Sequence, residues 1–151
     1  MLSGPDLLRP PQAVLFACTS NVIRSPMAEA LFKLRFGTKA YVDSCGLRPG
    51  SGPDPMTVFA MDELGADLAR HRPKSFDALE DDSFDLIVTL SPEAHHRALE
   101  YTRALATEVE YWPTFDPSLA EGSRDQRMEA YRDVRDALDR KIRQRFAMLK
   151  V

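Results

Sequence analysis

Two residues six positions apart, Cys18 and Arg24, are the part of this sequence best suited to chemistry. A loop that runs into a helix N-terminus can turn its amide N–H groups inward to form an anion-binding nest, and the helix dipole strengthens the positive potential there. An arginine adds a planar fork that suits two oxygens of a phosphate group. We predict a nest for phosphate or a similar oxyanion, lined by Thr19, Ser20, Asn21, Val22, Ile23, Arg24 and Ser25.

Cys18 would lie at the base of this nest, where positive potential reaches its thiol from several sides. Such surroundings favour the thiolate, which is the nucleophilic form of cysteine and can attack phosphorus. A lone cysteine at a strand end is more often a small buried hydrophobic residue. Together with Arg24, between a strand and a helix start, Cys18 has a defined electrostatic role, and this combination favours the catalytic interpretation.

Strands and helices alternate along the chain around this loop. Short apolar runs predict strands over residues 13–17, 40–45, 84–90 and 107–112. Helical spacing and caps predict a first helix with Ser25 as N-cap, a second ended by Gly65, a third opened by Ser91, and a long one over residues 128–149. The pattern predicts an α/β fold: one doubly wound domain with a four-stranded parallel sheet, helices on both faces, and a ligand site at the carboxyl ends of the strands.

Composition and charge exclude several classes of protein. The 151 residues suffice for one domain, and we expect residues 1–12 to form a loose N-terminal arm. The net charge of −3 argues against nucleic-acid binding through a basic face. The longest apolar run, residues 13–18, is too short to span a bilayer, and the start of the chain lacks signal-peptide features. Two distant cysteines make no disulfide framework, so a cytoplasmic protein without a membrane partner is expected.

The stretch from Cys18 to Glu29, which reads CTSNVIRSPMAE, resembles the phosphate-binding loop of the low-molecular-weight protein tyrosine phosphatases. That family also includes thioredoxin-linked arsenate reductases, which share the fold and the first cysteine. The resemblance extends along nearly the whole chain through four further segments: Asp43–Gly46, His71–Arg72, Asp85–Thr89 and Asp116–Pro117. It implies that residues 1–151 form a single phosphatase-like domain.

The resemblance implies a role for each matching residue. Cys18 would attack phosphorus and form a phosphocysteine, while Arg24 and the loop amides would hold the phosphate oxygens. Ser25 would donate a hydrogen bond to the thiolate. Asp116 would protonate the leaving group and later activate the hydrolytic water. Two other carboxylates are weaker alternatives for this acid: Asp54 and Asp125.

A supporting shell around Asn21 is also implied by the resemblance. Asparagine tolerates the left-handed backbone angles that a tight nest requires. In the family its side chain is held by the loop serine, a serine after the second strand, and a histidine. The corresponding residues here are Ser25, Ser44 and His71.

Several positions depart from the family pattern. Ile23 stands where many members have a second loop cysteine that traps the first as a disulfide, so this protection is expected to be absent. Cys45, one strand over, is a candidate replacement, although small-residue packing is the simpler interpretation. Ser20 replaces a loop glycine, and a positive φ there would store strain of about 1 kcal/mol or more.

The expected rim of the site also differs, because Ser118 and Leu119 stand where many members have paired tyrosines that recognise aryl groups. Trp112 and Phe115 are candidates to line the rim instead, with core packing favoured for Trp112. Arg48 is a candidate contact for an anionic substrate, with a solvated charge favoured.

Three functions follow in order of preference. The first is hydrolysis of phosphate monoesters without a metal or cofactor, with a phosphorylated protein, favouring phosphotyrosine, or a small aryl phosphate as substrate. The second is arsenate reduction with an external thiol, because the segment Thr89–Glu93 holds no cysteine for a thioredoxin-linked relay. The third is a weakly active phosphate-binding regulatory module, which strain at Ser20 would favour.

Overall fold

The computed structural model of the protein describes residues 10–80, 83–103 and 105–150, so residues 1–9 of the predicted arm lie outside it. The strands are β1 (Ala13–Cys18), β2 (Tyr41–Gly46), β3 (Leu86–Thr89) and β4 (Glu108–Tyr111). The α-helices are α1 (Arg24–Phe36), α2 (Pro55–Asp62), α3 (Pro92–Tyr101) and α4 (Arg124–Arg145). A short 3₁₀ helix covers Pro117–Leu119. No helix within the described ranges is long and apolar enough to cross a membrane.

The four strands form one parallel sheet in the order β2-β1-β3-β4, which confirms the predicted α/β fold. Strand β1 is central and almost fully buried because helices cover both sheet faces. Side chains of α1, α2 and α4 share a core with Phe16 on one face. Side chains of α3 share a second core with Leu15 on the other face. Alternate residues of β1 therefore belong to different cores.

The start of α1 differs from the prediction that placed Ser25 at the N-cap. The helix begins at Arg24, and Ile23 occupies the N-cap position without a side-chain capping bond. Ser25 lies inside the first turn and is fully buried. Its hydroxyl is used by the loop rather than by the helix end, which explains why a capping pattern placed the boundary too late.

The other boundaries follow local chemistry more closely. Ser91 caps α3 as predicted, since its hydroxyl accepts a hydrogen bond from the Ala94 amide. The last helix, α4, begins four residues before the apolar pattern starts, because Ser123 and Gln126 form a capping box. Apolar periodicity marks only the turns that pack against the core, so it misses an exposed first turn.

Candidate active site

The loop between β1 and α1 lies at the carboxyl edge of the sheet, against the segment that follows β2. The carbonyl groups of Cys18, Thr19 and Ser20 accept hydrogen bonds from amides of residues 47–50 at 2.8 to 3.2 Å. Gly46 makes this close contact possible, because a Cβ atom there would lie 2.8 Å from the Asn21 nitrogen. Three consecutive carbonyls of the loop therefore bind it to the segment that follows β2.

The Cys18 sulfur is only 2% exposed and lies among polar hydrogens. Its Sγ atom is 2.9 Å from the Ser25 hydroxyl and accepts a hydrogen bond from the Asn21 amide at 3.3 Å. The Ser25 oxygen in turn accepts from the Asn21 side-chain amide at 2.7 Å. The Ser25 hydroxyl proton has two acceptors within reach, the Cys18 sulfur at 2.9 Å and the Cys45 carbonyl at 3.3 Å, and a thiolate at Cys18 would be the stronger acceptor.

Asn21 is fully buried and has φ of +57°, the left-handed region that asparagine tolerates. Its Nδ2 atom donates to the Ser25 and Ser44 hydroxyls, the latter at 3.0 Å. Its Oδ1 atom accepts from the Lys74 amide at 3.0 Å, and its main-chain carbonyl lies 2.8 Å from Nε2 of His71. The structure thus brings the predicted shell together, but His71 contacts the backbone of Asn21 and not its side chain.

Two further partners of this shell were missed by sequence reasoning. The Lys74 contact is made by a main-chain amide, which any residue except proline supplies, so no side-chain pattern could reveal it. Glu29 accepts a hydrogen bond from the Ser44 hydroxyl at 2.6 Å. Glu29 does fall at the end of the Cys18–Glu29 motif, which is the signal that could have found it.

The strain expected at Ser20 does not arise. Among the described non-glycine residues, positive φ falls on Asn21 alone, and Ser20 keeps a negative φ that serine adopts readily. The expected strain required a positive φ at Ser20. The positive φ of the loop instead falls one residue later, at Asn21, and asparagine tolerates it.

Arg24 connects the nest to the loop after β4. Its Nη1 atom donates a hydrogen bond to the Thr114 carbonyl at 2.9 Å. Thr114 is itself fixed, because its amide donates to the Leu90 carbonyl at 3.2 Å and its hydroxyl to the Trp112 carbonyl at 2.8 Å. The guanidinium has other N–H groups besides the one bound to Thr114, and a planar fork of such donors suits an oxyanion.

Asp116 lies two residues beyond Thr114, at the start of the 3₁₀ helix. Its Oδ1 atom accepts from the Ser118 amide at 3.0 Å and from the Ser118 hydroxyl at 2.7 Å. Burial raises the pKa of Tyr131 to about 12, and the negative charges of Asp54 and Asp116 act in the same direction. Both carboxylates therefore lie near the Tyr131 hydroxyl.

Of the two alternative acids, Asp54 is bonded much as Asp116 is, whereas Asp125 is not. Asp54 caps α2, and its Oδ2 atom accepts from the Thr57 amide at 2.9 Å and the Thr57 hydroxyl at 3.0 Å. Asp125 lies in the exposed first turn of α4. Of the two, Asp54 has its carboxylate committed to structural bonds.

Cys45 lies across the sheet from the nest. It is paired with Ala17 in the parallel register, whereas Cys18 is paired with Gly46, and the two thiols belong to cores on opposite sheet faces. Burial raises the pKa of the Cys45 thiol well above its ordinary range. The geometry therefore does not support Cys45 as a replacement for the missing loop cysteine.

The remaining candidates are two aromatic residues, Trp112 and Phe115, and one cation, Arg48. Trp112 is half-buried and packs against Phe16 with ring centroids 6.2 Å apart, as its core interpretation expected. Phe115, beside Asp116, is 57% exposed, and Arg48 is exposed on the segment after β2. Among the described residues no cluster of three histidine, cysteine or acidic side chains is arranged to hold a metal.

The chain is similar in sequence and in fold to several known proteins. A family profile described as low molecular weight phosphotyrosine protein phosphatase matches residues 13–151. An arsenate reductase of Halalkalibacterium halodurans is 31% identical over 134 residues, covering 87% of this chain and 93% of that protein. A low molecular weight protein-tyrosine-phosphatase of Streptomyces coelicolor is 35% identical over 123 residues, 74% of each protein. A solved structure of an arsenate reductase in the phosphate binding state has a TM-score of 0.75 and 25% identity, covering 91% of this chain and 98% of that one.

Proposed function

Because the chain belongs to the low molecular weight phosphotyrosine protein phosphatase family, we propose that it hydrolyses phosphate monoesters through a phosphocysteine intermediate on Cys18. The proposed substrates are phosphotyrosine in proteins and small aryl phosphates. The observation that carries the proposal is the environment of the Cys18 sulfur, which meets the Ser25 hydroxyl at 2.9 Å and the Asn21 amide at 3.3 Å. Both groups can donate a hydrogen bond to a thiolate.

In the first step the Cys18 thiolate forms a sulfur–phosphorus bond while the phosphorus–oxygen bond to the leaving group breaks. Asp116, protonated at this stage, transfers its proton to the departing oxygen. The loop amides and the Arg24 guanidinium hold the three other phosphate oxygens, where negative charge is spread in the transition state. The hydrogen bond from Arg24 to the Thr114 carbonyl supports this role, because it links the anion site to the loop that carries Asp116.

In the second step a water molecule attacks phosphorus and the sulfur–phosphorus bond breaks. Asp116, now a carboxylate, takes a proton from that water, and inorganic phosphate leaves. The hydrogen bond between Ser25 and the Cys18 sulfur stabilises the thiolate as it departs. Each group thus returns to its starting state, with no metal or redox partner in the cycle.

Turnover of p-nitrophenyl phosphate tests the nucleophile. We expect Cys18→Ser to lower kcat by more than about 10³-fold, as loss of a covalent nucleophile does in other enzymes. Cys45→Ala is the matched control, since that thiol lies on the opposite sheet face, and it should keep wild-type turnover. Equal losses in both variants, or an inactive wild type on a panel of aryl phosphates, would exclude the proposed reaction.

The leaving-group dependence tests the acid. Asp116→Asn should lower kcat by about 10²- to 10⁴-fold, with a larger loss on phenyl phosphate than on p-nitrophenyl phosphate, because a poorer leaving group needs protonation more. Asp125→Asn provides the control in the exposed turn of α4. The same loss on both substrates would show that Asp116 is not the proton donor.

Arsenate reduction with an external thiol is the second candidate, since relatives named arsenate reductases match most of the chain. A thioredoxin-linked relay would need a cysteine after β3, where Ser91 accepts a hydrogen bond from the Thr19 hydroxyl at 3.0 Å. The two electrons that reduce arsenate would then have to come from an added thiol. Thiol-dependent arsenite release without aryl phosphatase activity would favour this candidate. The third candidate, a weak phosphate-binding module, loses its main argument because Ser20 is unstrained.

A further inference from the structure

An open cleft of about 510 Å³ lies behind the nest, between α1 and the segment 66–71. Apolar side chains of Ala30, Leu34, Ala66 and Leu68 contribute to its walls. Leu34 is 40% exposed although it is a large hydrophobic residue on a helix that otherwise packs into the core. A volume of this size is typical of sites for small organic ligands.

Among the charged groups of the cleft, Lys33 and Glu29 pair with each other, whereas Arg70 and Asp67 make no ion pair with any described residue. Glu29 is engaged by the Lys33 ammonium at 2.8 Å and by the Ser44 hydroxyl, and Asp67 accepts from the Ala69 amide at 2.9 Å. Arg70 is exposed at the cleft and makes no ion pair with any described residue. An apolar wall beside an unpaired guanidinium is complementary to an apolar molecule that carries an anionic group.

Two walls of the cleft contact the residue that shapes the nest. His71 lies 2.8 Å from the main-chain carbonyl of Asn21, and Glu29 accepts from the Ser44 hydroxyl, which accepts from the Asn21 side chain. Asn21 in turn donates its amide hydrogen to the Cys18 sulfur. A molecule in the cleft would therefore contact His71, which is two hydrogen bonds away from the nucleophile, and Glu29, which is three away.

We propose that this cleft is a second binding site, for a small organic anion with an apolar body, and that the bound molecule changes the anion affinity of the nest through His71 and Glu29. The regulatory part rests on the proposed function of the nest, whereas binding in the cleft does not. Coupling between two sites is reciprocal in free energy, so each ligand must alter the affinity of the other by the same factor.

Titration with 8-anilinonaphthalene-1-sulfonate, an aromatic anion, tests the site. Saturating phosphate is present throughout so that the nest is filled. We expect binding at one site per chain, with shifts of the Ala30 and Ala66 amide resonances. Arg70→Gln should weaken the affinity for the probe by about three- to tenfold, the range for loss of a charge-assisted hydrogen bond near solvent. Arg72→Gln is the control, because Arg72 is also exposed but does not line the cleft.

Equal affinity in the two arginine variants, or absence of probe binding while phosphate fills the nest, would overturn the second site. Circular dichroism of both variants verifies that they fold. The coupling is measured separately, as the affinity for inorganic phosphate by calorimetry with and without the probe. We expect a change of about twofold or more in the wild type and a smaller one in His71→Phe, which keeps a ring at the wall and the route through Glu29 but loses the contact to Asn21.

An unchanged phosphate affinity in the wild type would refute the coupling. An equal change in His71→Phe would refute the route through His71. None of these measurements uses turnover, so they succeed or fail independently of the p-nitrophenyl phosphate assay. A protein that binds the probe and phosphate but hydrolyses nothing would keep the cleft proposal and discard the proposed reaction.

Discussion

Replacing Asn21 by alanine measures how much stability the shell around the nest contributes. The substitution removes three side-chain hydrogen bonds, to Ser25, Ser44 and Lys74. At about 1 kcal/mol each, their loss costs about 3 kcal/mol. Alanine at φ of +57° adds about 1 kcal/mol, because it lacks the short polar side chain whose local hydrogen bonding lets asparagine tolerate the left-handed region. The sum, about 4 kcal/mol, is a large share of the 5–15 kcal/mol that typically separates folded and unfolded states.

The glycine variant separates the two contributions. Asn21→Gly loses the same hydrogen bonds but adopts the left-handed conformation without strain. Glycine also gains entropy in the unfolded chain, which costs about 0.4–1 kcal/mol and offsets part of that advantage. We therefore expect the glycine variant to be equal to the alanine variant or more stable by up to about 0.6 kcal/mol.

Urea unfolding at pH 7, followed by far-ultraviolet circular dichroism, gives the free energy of unfolding for the three proteins. An alanine variant within about 1 kcal/mol of the wild type would refute the reasoning, since it would mean that the three hydrogen bonds contribute no more than one bond usually does. An alanine variant clearly more stable than the glycine variant would show that the backbone leaves the left-handed region on substitution.

Two other perturbations test neighbouring features. Gly46→Ala should weaken phosphate binding, measured by calorimetry, by about tenfold or more, because the added Cβ would lie 2.8 Å from the Asn21 nitrogen. Gly52→Ala is the control and should leave phosphate affinity unchanged, because nothing lies within 4 Å of its added Cβ. Equal losses of affinity in the two variants would contradict the contact. Hydrogen bonds from Arg132 lower the pKa of Glu63 to about 2, from 4.5. The stability that Glu63 contributes is therefore present above pH 4.5 and lost as pH falls towards 2. Glu63→Gln should weaken the acid dependence of the urea midpoint, and a variant with the same acid dependence as the wild type would disprove this.

The main features of the fold and the nest could be predicted because their signals are local. An apolar strand, a polar loop and a helix start around Cys18 and Arg24 place a thiol and a cation at the carboxyl end of a parallel sheet. The left-handed position of Asn21 follows from residue type. The start of α1 was wrong because Ser25 suits both a helix cap and a buried hydrogen bond to sulfur, and only the tertiary structure decides between them.

Contacts made by main-chain groups could not be predicted in the same way. The Thr114 carbonyl that binds Arg24 and the Lys74 amide that binds Asn21 are present in almost any residue. Only the path of the chain brings them to the nest. Substitution of either side chain would leave these bonds in place, so neither position is fixed by this contact.

The separation of the two cysteines required a third kind of information, the register between strands. Each strand alternates its side chains with a period of two, but the sequence does not say which residue of β2 pairs with which residue of β1. The observed register pairs Cys45 with Ala17, which places its thiol on the face opposite to Cys18. A shift by one residue would have brought the two thiols to the same face. With this register and with Ile23 in the loop, oxidation of Cys18 has no thiol partner on its own face among the two cysteines of the chain. Excess peroxide should therefore carry Cys18 past the sulfenic acid to sulfinic or sulfonic acid, and an added thiol should restore little activity. A loop with its own second cysteine would instead stop at a disulfide, which an added thiol reduces back to the active form.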